Sequence, residues 1–376
     1  MTKALFIPSW YPSAEAPTAG LFIRQQVQAA AGVVDVAVLH VDAGRHTVRP
    51  RITVEDGAPV VRASVDARGF YGRTIAYIRM GLAAFEELRG QWGTPDIVHV
   101  QALFPAAMIA RAIKWRYGIP YVVTEHSEEY LPQSERRLAK HPLVVLLLLR
   151  PLAHGASRTI AVSRFLADRL VQLGLAVDPI VIPNVVPACE PMPMPLDAPH
   201  VVSHVSVMGP AKNLDMLLEA VSRLRARRAD FVVRLVGDGE NRPDLEKAAA
   251  SLALDGVVEF TGRKTPDEVR AVLAESAFTV VSSTHETFSV SAAESLMCGR
   301  PVLSTRCGGP EEFITPGVGR LTDVGSVDEL VEGLDWMLDH FTGFNPQVLH
   351  DYAMARFAPG LVAAKIADVY LEVLGD

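Results

Sequence analysis

Hydrophobic positions fall into short, nearly continuous runs separated by longer amphipathic stretches, and the alternation persists along the whole chain. Residues 4–7, 33–39, 97–100, 121–124 and 159–162 have the length and apolar density of strands buried on both faces. Between them, 20–31, 73–89, 106–117 and 164–173 repeat apolar positions with helical spacing. A second series follows, with strands expected at 201–207, 231–236, 257–260, 278–282 and 301–304 and helices between. A βαβα order predicts α/β architecture, with parallel sheets covered by helices on both faces.

The two series are separated by a change in composition. Pro183, Pro187, Pro191, Pro193, Pro195 and Pro199 crowd a stretch that neither helix nor central strand tolerates. The organisation expected is a first doubly wound domain over 1–185, a Pro-rich linker over 186–199 and a second domain over 200–355. A last helix lies within 356–376 and is able to cross back to the first domain. In open parallel sheets, ligands bind beyond the carboxyl ends of the strands, so the chemistry is sought in the loops that follow them.

Composition narrows the class. Hydrophobic residues make up 49% and charged residues 21% of 376 positions, which excludes a disordered or collagen-like chain. A net charge of −7 argues against a nucleic-acid partner. Residues 1–190 carry 20 basic and 16 acidic side chains, and the remainder 16 and 27. That asymmetry fits either an anionic acceptor or membrane surface for the first half, or ordinary scatter over two domains. Cys189, Cys298 and Cys307 show no metal-ligand spacing, and their sparse, odd number favours a reducing compartment. No apolar run approaches the ~20 residues of a membrane span. The expected location is cytoplasmic, with at most peripheral contact at an inner membrane surface. Residues 133–150 join Arg136, Arg137 and Lys140 to an aliphatic run. They read either as a surface for anionic lipid or as a core helix flanked by solvated charges.

The most specific segment is SSTHETFSVSAAESLMCGRPVLSTRCGGPEE, residues 282–312. A strand ends near Ser282, a polar loop follows, and a helix begins near Ser289. Glu286 falls in the loop and Glu294 inside the helix, so one carboxylate stands at the helix mouth and the other further in. Two acidic acceptors there suit the hydroxyls of a sugar and a ribose, while the free N–H groups of the helix start suit a phosphate. The plainer alternative is a solvated Glu286 and a Glu294 paired in the core. In Cys307-Gly308-Gly309-Pro310-Glu311 the glycines permit close backbone approach, and Pro310 suits a first helical position.

Glu286-x7-Glu294, followed by the Gly299-Arg300-Pro301-Val302 strand and the GGPEE loop, resembles the retaining nucleotide-sugar glycosyltransferases of family 4, which have the GT-B fold. VGDGE at 236–240, EFTGR at 259–263 and IPNV at 182–185 match further motifs of that family. So do PDIVH at 95–99 and TEHS at 124–127. PSWYP at 8–12 through GLF at 20–22 resembles members that build bacterial surface polysaccharides. The resemblance implies two Rossmann-like domains facing across a cleft and transfer of a sugar from a nucleoside diphosphate sugar, UDP being favoured, with retention at the anomeric carbon. It implies a sugar, lipid-linked or small-molecule acceptor, no cofactor, and no metal.

Residue roles follow from the same resemblance. Glu294 would hold the ribose hydroxyls, and Glu286 would lie against the donor sugar. The N–H groups of Phe288, Ser289 and Val290 would contact sugar and phosphate. Lys212 would neutralise the diphosphate, Gly20 would let backbone approach the phosphates, and His126 would contact the transferred sugar. The chain departs from the pattern in lacking an arginine shortly before Lys212; Arg263 or Lys264 is expected to replace that charge. A second departure is Thr287 and Ser289 where glycines are common. The rival reading is a catalytically silent nucleotide-sugar-binding subunit that serves a partner enzyme.

Overall fold

The computed structural model describes residues 1–13, 15–42, 44, 46–66, 70–134 and 142–375. The chain divides into two compact units, Met1–Val185 with Pro359–Asp376, and Val186–Ala358.

The first unit holds β1 (Lys3–Pro8), β2 (Asp35–Asp42), β3 (Val48–Glu55), β4 (Ala58–Ser64), β5 (Ile97–Gln101), β6 (Tyr121–Glu125), β7 (Arg158–Ala161) and β8 (Ile180–Val181). They form one sheet in the order β3-β4-β2-β1-β5-β6-β7-β8. Every pairing is parallel except that of β3 with β4. This hairpin is not foreseen from apolar runs, because β3 (VRPRITVE) is largely exposed and carries Pro50, the composition of an edge strand. Helix Leu21–Ala30 buries Ile23, Val27 and Ala30 and packs with the C-terminal helix Pro359–Leu374, which contributes Val362, Ile366, Val369 and Tyr370 to the same core.

The aliphatic run at 143–149 is neither buried all round nor regular α-helix. Val145–Leu149 forms a π-helical segment in which Val145 and Leu149 are buried, while Leu143, Leu146 and Leu147 are exposed. The basic residues Arg136, Arg137 and Lys140 lie outside the described residues.

In the second unit β9 (His200–Val205), β10 (Phe231–Val236), β11 (Val258–Gly262), β12 (Phe278–Val281), β13 (Val302–Thr305) and β14 (Gly319–Thr322) form a wholly parallel sheet in the order β11-β10-β9-β12-β13-β14. Helix Leu214–Arg225 follows β9 because Leu214, Leu217, Leu218, Val221 and Leu224 fall on one stripe. That stripe packs with Leu330, Leu334 and Met337 of helix Val327–His340. Fully burying such a side chain contributes roughly 1.5–3 kcal/mol. Both sheets thus have the doubly wound, Rossmann-like arrangement expected for GT-B.

The Pro-rich stretch has no regular structure. It is fastened to the second unit by Arg300, whose guanidinium is fully buried and donates to the carbonyls of Met192 and Pro193, each at 2.8 Å, and to that of Ala274.

Candidate functional site

In the second sheet the strand order reverses at β9, which has β10 on one side and β12 on the other. The loops leaving the carboxyl ends of β9 and β12 therefore border the crevice where such sheets bind ligands. These two loops carry Lys212 and Glu286.

Both loops are tied to their neighbours by main-chain bonds. Thr284 N–H donates to the Ala211 carbonyl at 2.8 Å, and the Ser282 hydroxyl donates to the Lys212 carbonyl at 2.8 Å. Glu286 N–H donates to the Cys307 carbonyl at 2.7 Å, and Gly309 N–H to the Glu286 carbonyl at 2.9 Å. The second glycine of the GGPEE loop is needed here, since a Cβ on Gly309 would stand 2.4 Å from the Thr287 carbonyl oxygen. The Glu311 carboxylate accepts from Gly308 N–H at 2.9 Å and so caps the short turn Gly309–Glu312.

The loops bring two of the expected residues into direct contact. Lys212 Nζ lies 2.6 Å from Glu286 Oε1, with both side chains mostly buried. The Ser283 hydroxyl donates to the same oxygen at 2.7 Å. Burial alone raises the Glu286 pKa; the Lys212 charge and hydrogen bond, with Ser283, bring it below the ordinary carboxylate value. The carboxylate is therefore ionised at neutral pH. Beneath it, buried His204 donates through Nδ1 to the Val280 carbonyl at 2.9 Å, and its Nε2 accepts from Ser206 at 2.8 Å. Burial lowers the His204 pKa to about 4, so this ring is neutral at neutral pH.

Ser289 precedes helix Val290–Met297 with φ 70 and ψ 84. A side chain at positive φ is strained, and a glycine would not be. The Ser289 hydroxyl is also buried without a hydrogen-bond partner among the described residues. The N–H groups of Phe288, Ser289 and Val290 likewise have no acceptor there. Phe288 turns its ring away from this end, into a cluster with Phe313 and Phe357 at centroid distances of 5.5 and 5.4 Å. The result is a helix start with several polar hydrogens aimed at no protein group, the arrangement that binds anions.

Glu294 lies about one turn into helix Val290–Met297, with no hydrogen-bond partner among the described residues. Burial raises its pKa to about 7, against a lowering by Arg270. Arg263 is exposed at the end of β11, and Lys264 stands 4.0 Å from Glu268. Among the described residues neither forms an ion pair with Glu286.

Gly20 and His126 belong to the first unit. Gly20 caps helix Leu21–Ala30 with φ 68, and a Cβ there would stand 2.5 Å from the Trp10 carbonyl oxygen. Only glycine fits a chain passing so close. His126 follows β6 and is 6% exposed. Its Nε2 lies 2.8 Å from Gln101 Oε1, and its ring packs on Phe22 with centroids 4.9 Å apart. Burial lowers its pKa to about 3, opposed by a hydrogen bond with Asn184. Sequence reasoning does not find Ser283, His204, Gln101 or Asn184 as supports of the site. Their only signal is position beside a motif residue, and their role needs the third dimension.

Among the described residues no group of His, Cys, Asp and Glu has a metal-binding arrangement.

Comparison with known proteins bears on the whole chain. The family of glycosyl transferase 4-like domains matches residues 22–185, and that of glycosyl transferases group 1 matches residues 195–341. The 2-deoxystreptamine glucosyltransferase of Streptomyces kanamyceticus is 28% identical over 326 residues, 76% of this chain and 83% of that protein. The lipopolysaccharide core biosynthesis glycosyltransferase LpsE of Rhizobium meliloti is 33% identical over 185 residues, 48% of this chain and 51% of that protein. Among solved structures, Anabaena Alr3699/HepE in complex with UDP and glucose superposes with a TM-score of 0.77 at 19% identity, covering 99% of this chain and 100% of that one. Two end-to-end domain matches on two Rossmann-like sheets place the chain among the GT-B glycosyltransferases, with a glycosyl transferase 4-like domain followed by a group 1 domain.

Proposed function

We propose that the chain transfers a hexosyl or N-acetylhexosaminyl group from a nucleoside diphosphate sugar, UDP being the favoured base, to a hydroxyl acceptor with retention at the anomeric carbon. The observation that carries this reading is the Lys212–Glu286 pair at the switch point of the second sheet. Helix Val290–Met297 begins after Ser289, whose buried hydroxyl has no hydrogen-bond partner among the described residues, and carries Glu294 one turn in.

The transition state combines a cationic sugar ring with a departing diphosphate. Its stabilisation calls for a cation and N–H donors at the leaving group and a carboxylate near the ring. Lys212 and the amides of Phe288, Ser289 and Val290 serve the first need. Glu286 serves the second, and Glu294 holds the ribose. In the first unit, Gly20 permits approach of backbone to the phosphates and His126 meets the transferred sugar. Arg263 or Lys264 adds charge at the nucleotide once it is bound. No protein base or metal is required, because an oxygen of the leaving phosphate takes the acceptor proton. The acceptor is a sugar, a lipid-linked glycan or a small-molecule glycoside. Support comes from relatives described as acting on 2-deoxystreptamine and on lipopolysaccharide core.

The test is release of nucleoside diphosphate from a panel of nucleotide sugars, with and without acceptors, in the wild type and in Glu286→Ala. The expected result is acceptor-stimulated release of UDP that the substitution lowers by about 10²–10³-fold and that EDTA leaves intact. Tight donor binding with no release under any condition would instead assign a silent binding subunit. Loss with EDTA reversed by manganese would refute the metal-free mechanism.

A further inference from the structure

Helix Ala106–Tyr117 and the helical segment 142–153 lie side by side on the first unit. The Arg111 guanidinium donates to the Pro151 carbonyl, and Lys114 Nζ donates to the Gly155 carbonyl at 2.8 Å. The two bonds advance together along both helices, so the helices run in the same direction.

The surface they share is apolar. Trp115 is 88% exposed, Leu147 71% and Leu143 68%. Trp115 follows Arg111 by four residues, and Leu143, Leu147 and Pro151 are spaced by four, so each set falls on one helix face. The Arg111–Pro151 bond joins the two sets into one strip. At ~1.5 Å per residue, Leu143 and Pro151 stand about 12 Å apart along the axis. Contiguous exposed apolar side chains mark an interaction site, whereas single ones do not.

The charge around the strip has one sign. No Asp or Glu occurs between residues 97 and 124 or between 142 and 167. Arg111 and Lys114 bond neutral carbonyls, and Arg116 lies over the Tyr117 ring, 5.6 Å from its centroid, so each keeps its charge. Glu86 of the neighbouring helix Phe70–Trp92, which accepts from the Tyr117 hydroxyl, is already paired with Arg89 at 2.6 Å. An indole, leucines and uncompensated cations on one face match the boundary between head groups and acyl chains of an anionic bilayer. A second copy of the chain fits less well, because it would set three cations against three cations.

We propose that this strip seats the first unit on an anionic lipid surface, with Trp115, Leu143 and Leu147 entering the acyl boundary and Arg111, Lys114 and Arg116 meeting head groups. The segment 142–153 leads into β7 and so begins on the side of the strands' carboxyl ends, where the His126 loop leaves β6. A lipid-borne acceptor would reach the unit from that side. Membrane binding itself does not depend on the glycosyl-transfer reading.

The full chain is mixed with vesicles of phosphatidylcholine alone, and of phosphatidylcholine with an equal share of phosphatidylglycerol, and bound protein is read by co-sedimentation. It should sediment with the anionic vesicles and not with the neutral ones, and high salt should weaken binding. Tryptophan fluorescence should shift to the blue on binding, and Trp115→Phe should remove most of that shift, separating it from Trp10, Trp92 and Trp336. Leu143→Ser with Leu147→Ser should lower partitioning about tenfold or more, and Lys114→Gln with Arg116→Gln about tenfold. All four side chains are exposed, so melting temperatures should stay at the wild-type value. Should the leucine pair fold poorly, Lys114→Glu with Arg116→Glu reads the same surface through charge alone and should abolish binding. No binding to anionic vesicles, equal binding to both kinds, or binding unaltered in the variants overturns the proposal. So does dimerisation without lipid that Leu147→Ser abolishes, which would assign the strip to a second copy. Vesicle binding by a chain that transfers no sugar leaves the docking surface standing and removes only the functional reading.

Discussion

Ser289 and Glu294 are both held in states that the protein alone does not favour. Ser289 has φ 70 and a buried hydroxyl without a partner. Ser289→Gly removes the strain and the unsatisfied group together, so it should stabilise the ligand-free protein by about 1 kcal/mol, read as a raised denaturation midpoint. Donor binding should weaken in the same variant, because the hydroxyl is lost from the anion end of the helix. Glu294 has a pKa raised to about 7 by burial. Its folded pKa exceeds its unfolded one, so its contribution to stability is complete below the unfolded value near 4.5 and is lost as pH rises through 7. Ligand binding runs in the opposite sense, since a carboxylate accepts two ribose hydroxyls only when ionised. The affinity for UDP-glucose, which itself does not titrate in this range, should therefore fall as pH drops from 8 to 6, and Glu294→Gln should abolish that dependence. Isothermal titration at several pH values measures both. Motif spacing makes Glu286 and Glu294 legible from sequence. It does not reveal that the first is held ionised by Lys212 while burial raises the pKa of the second, because that difference is one of burial and neighbours.

At the level of elements, what is readable from the chain follows burial. Strands covered on both faces, such as β1 and β6, are continuous apolar runs and are recognisable without a structure. Exposed β3 and two-residue β8 are not, since one carries charges and a proline and the other is too short to show a pattern. The Pro-rich stretch reads as a semi-stiff linker, but its attachment is invisible in composition. A single buried guanidinium provides it, donating both to the Met192 and Pro193 carbonyls of the stretch and to the Ala274 carbonyl of helix Pro266–Glu275. Arg300→Met would leave the Met192, Pro193 and Ala274 carbonyls without their donor in a dry environment. The expected loss is about 3 kcal/mol or more, seen as a lower urea midpoint with an unchanged slope. Arg300→Lys should recover little of it, because an ammonium cannot span carbonyls that a planar fork reaches together.

For the whole molecule, the decisive feature is that the chain leaves the first unit at Val185 and re-enters it at Pro359. The sequence shows a final helix with an apolar face but not which unit that face covers. Val362, Ile366, Val369 and Tyr370 are buried in the core of the first unit, against Ile23 and Val27. Each such side chain contributes roughly 1.5–3 kcal/mol, so four of them together rival the ~5–15 kcal/mol that keeps a domain folded. Arg158 and Glu372 add an exposed ion pair of little weight. A chain truncated after Ala358 should therefore lose the fold of its first unit, whereas residues 186–358 carry their own six-stranded sheet and core intact. Two measurements check this. The truncated chain should show reduced cooperative unfolding by circular dichroism and exposed apolar surface by dye binding. The fragment 186–358 should fold and bind UDP, raising its melting temperature in proportion to the logarithm of ligand concentration. A truncated chain that unfolds like the full one would mean that the C-terminal helix is dispensable to the core of the first unit.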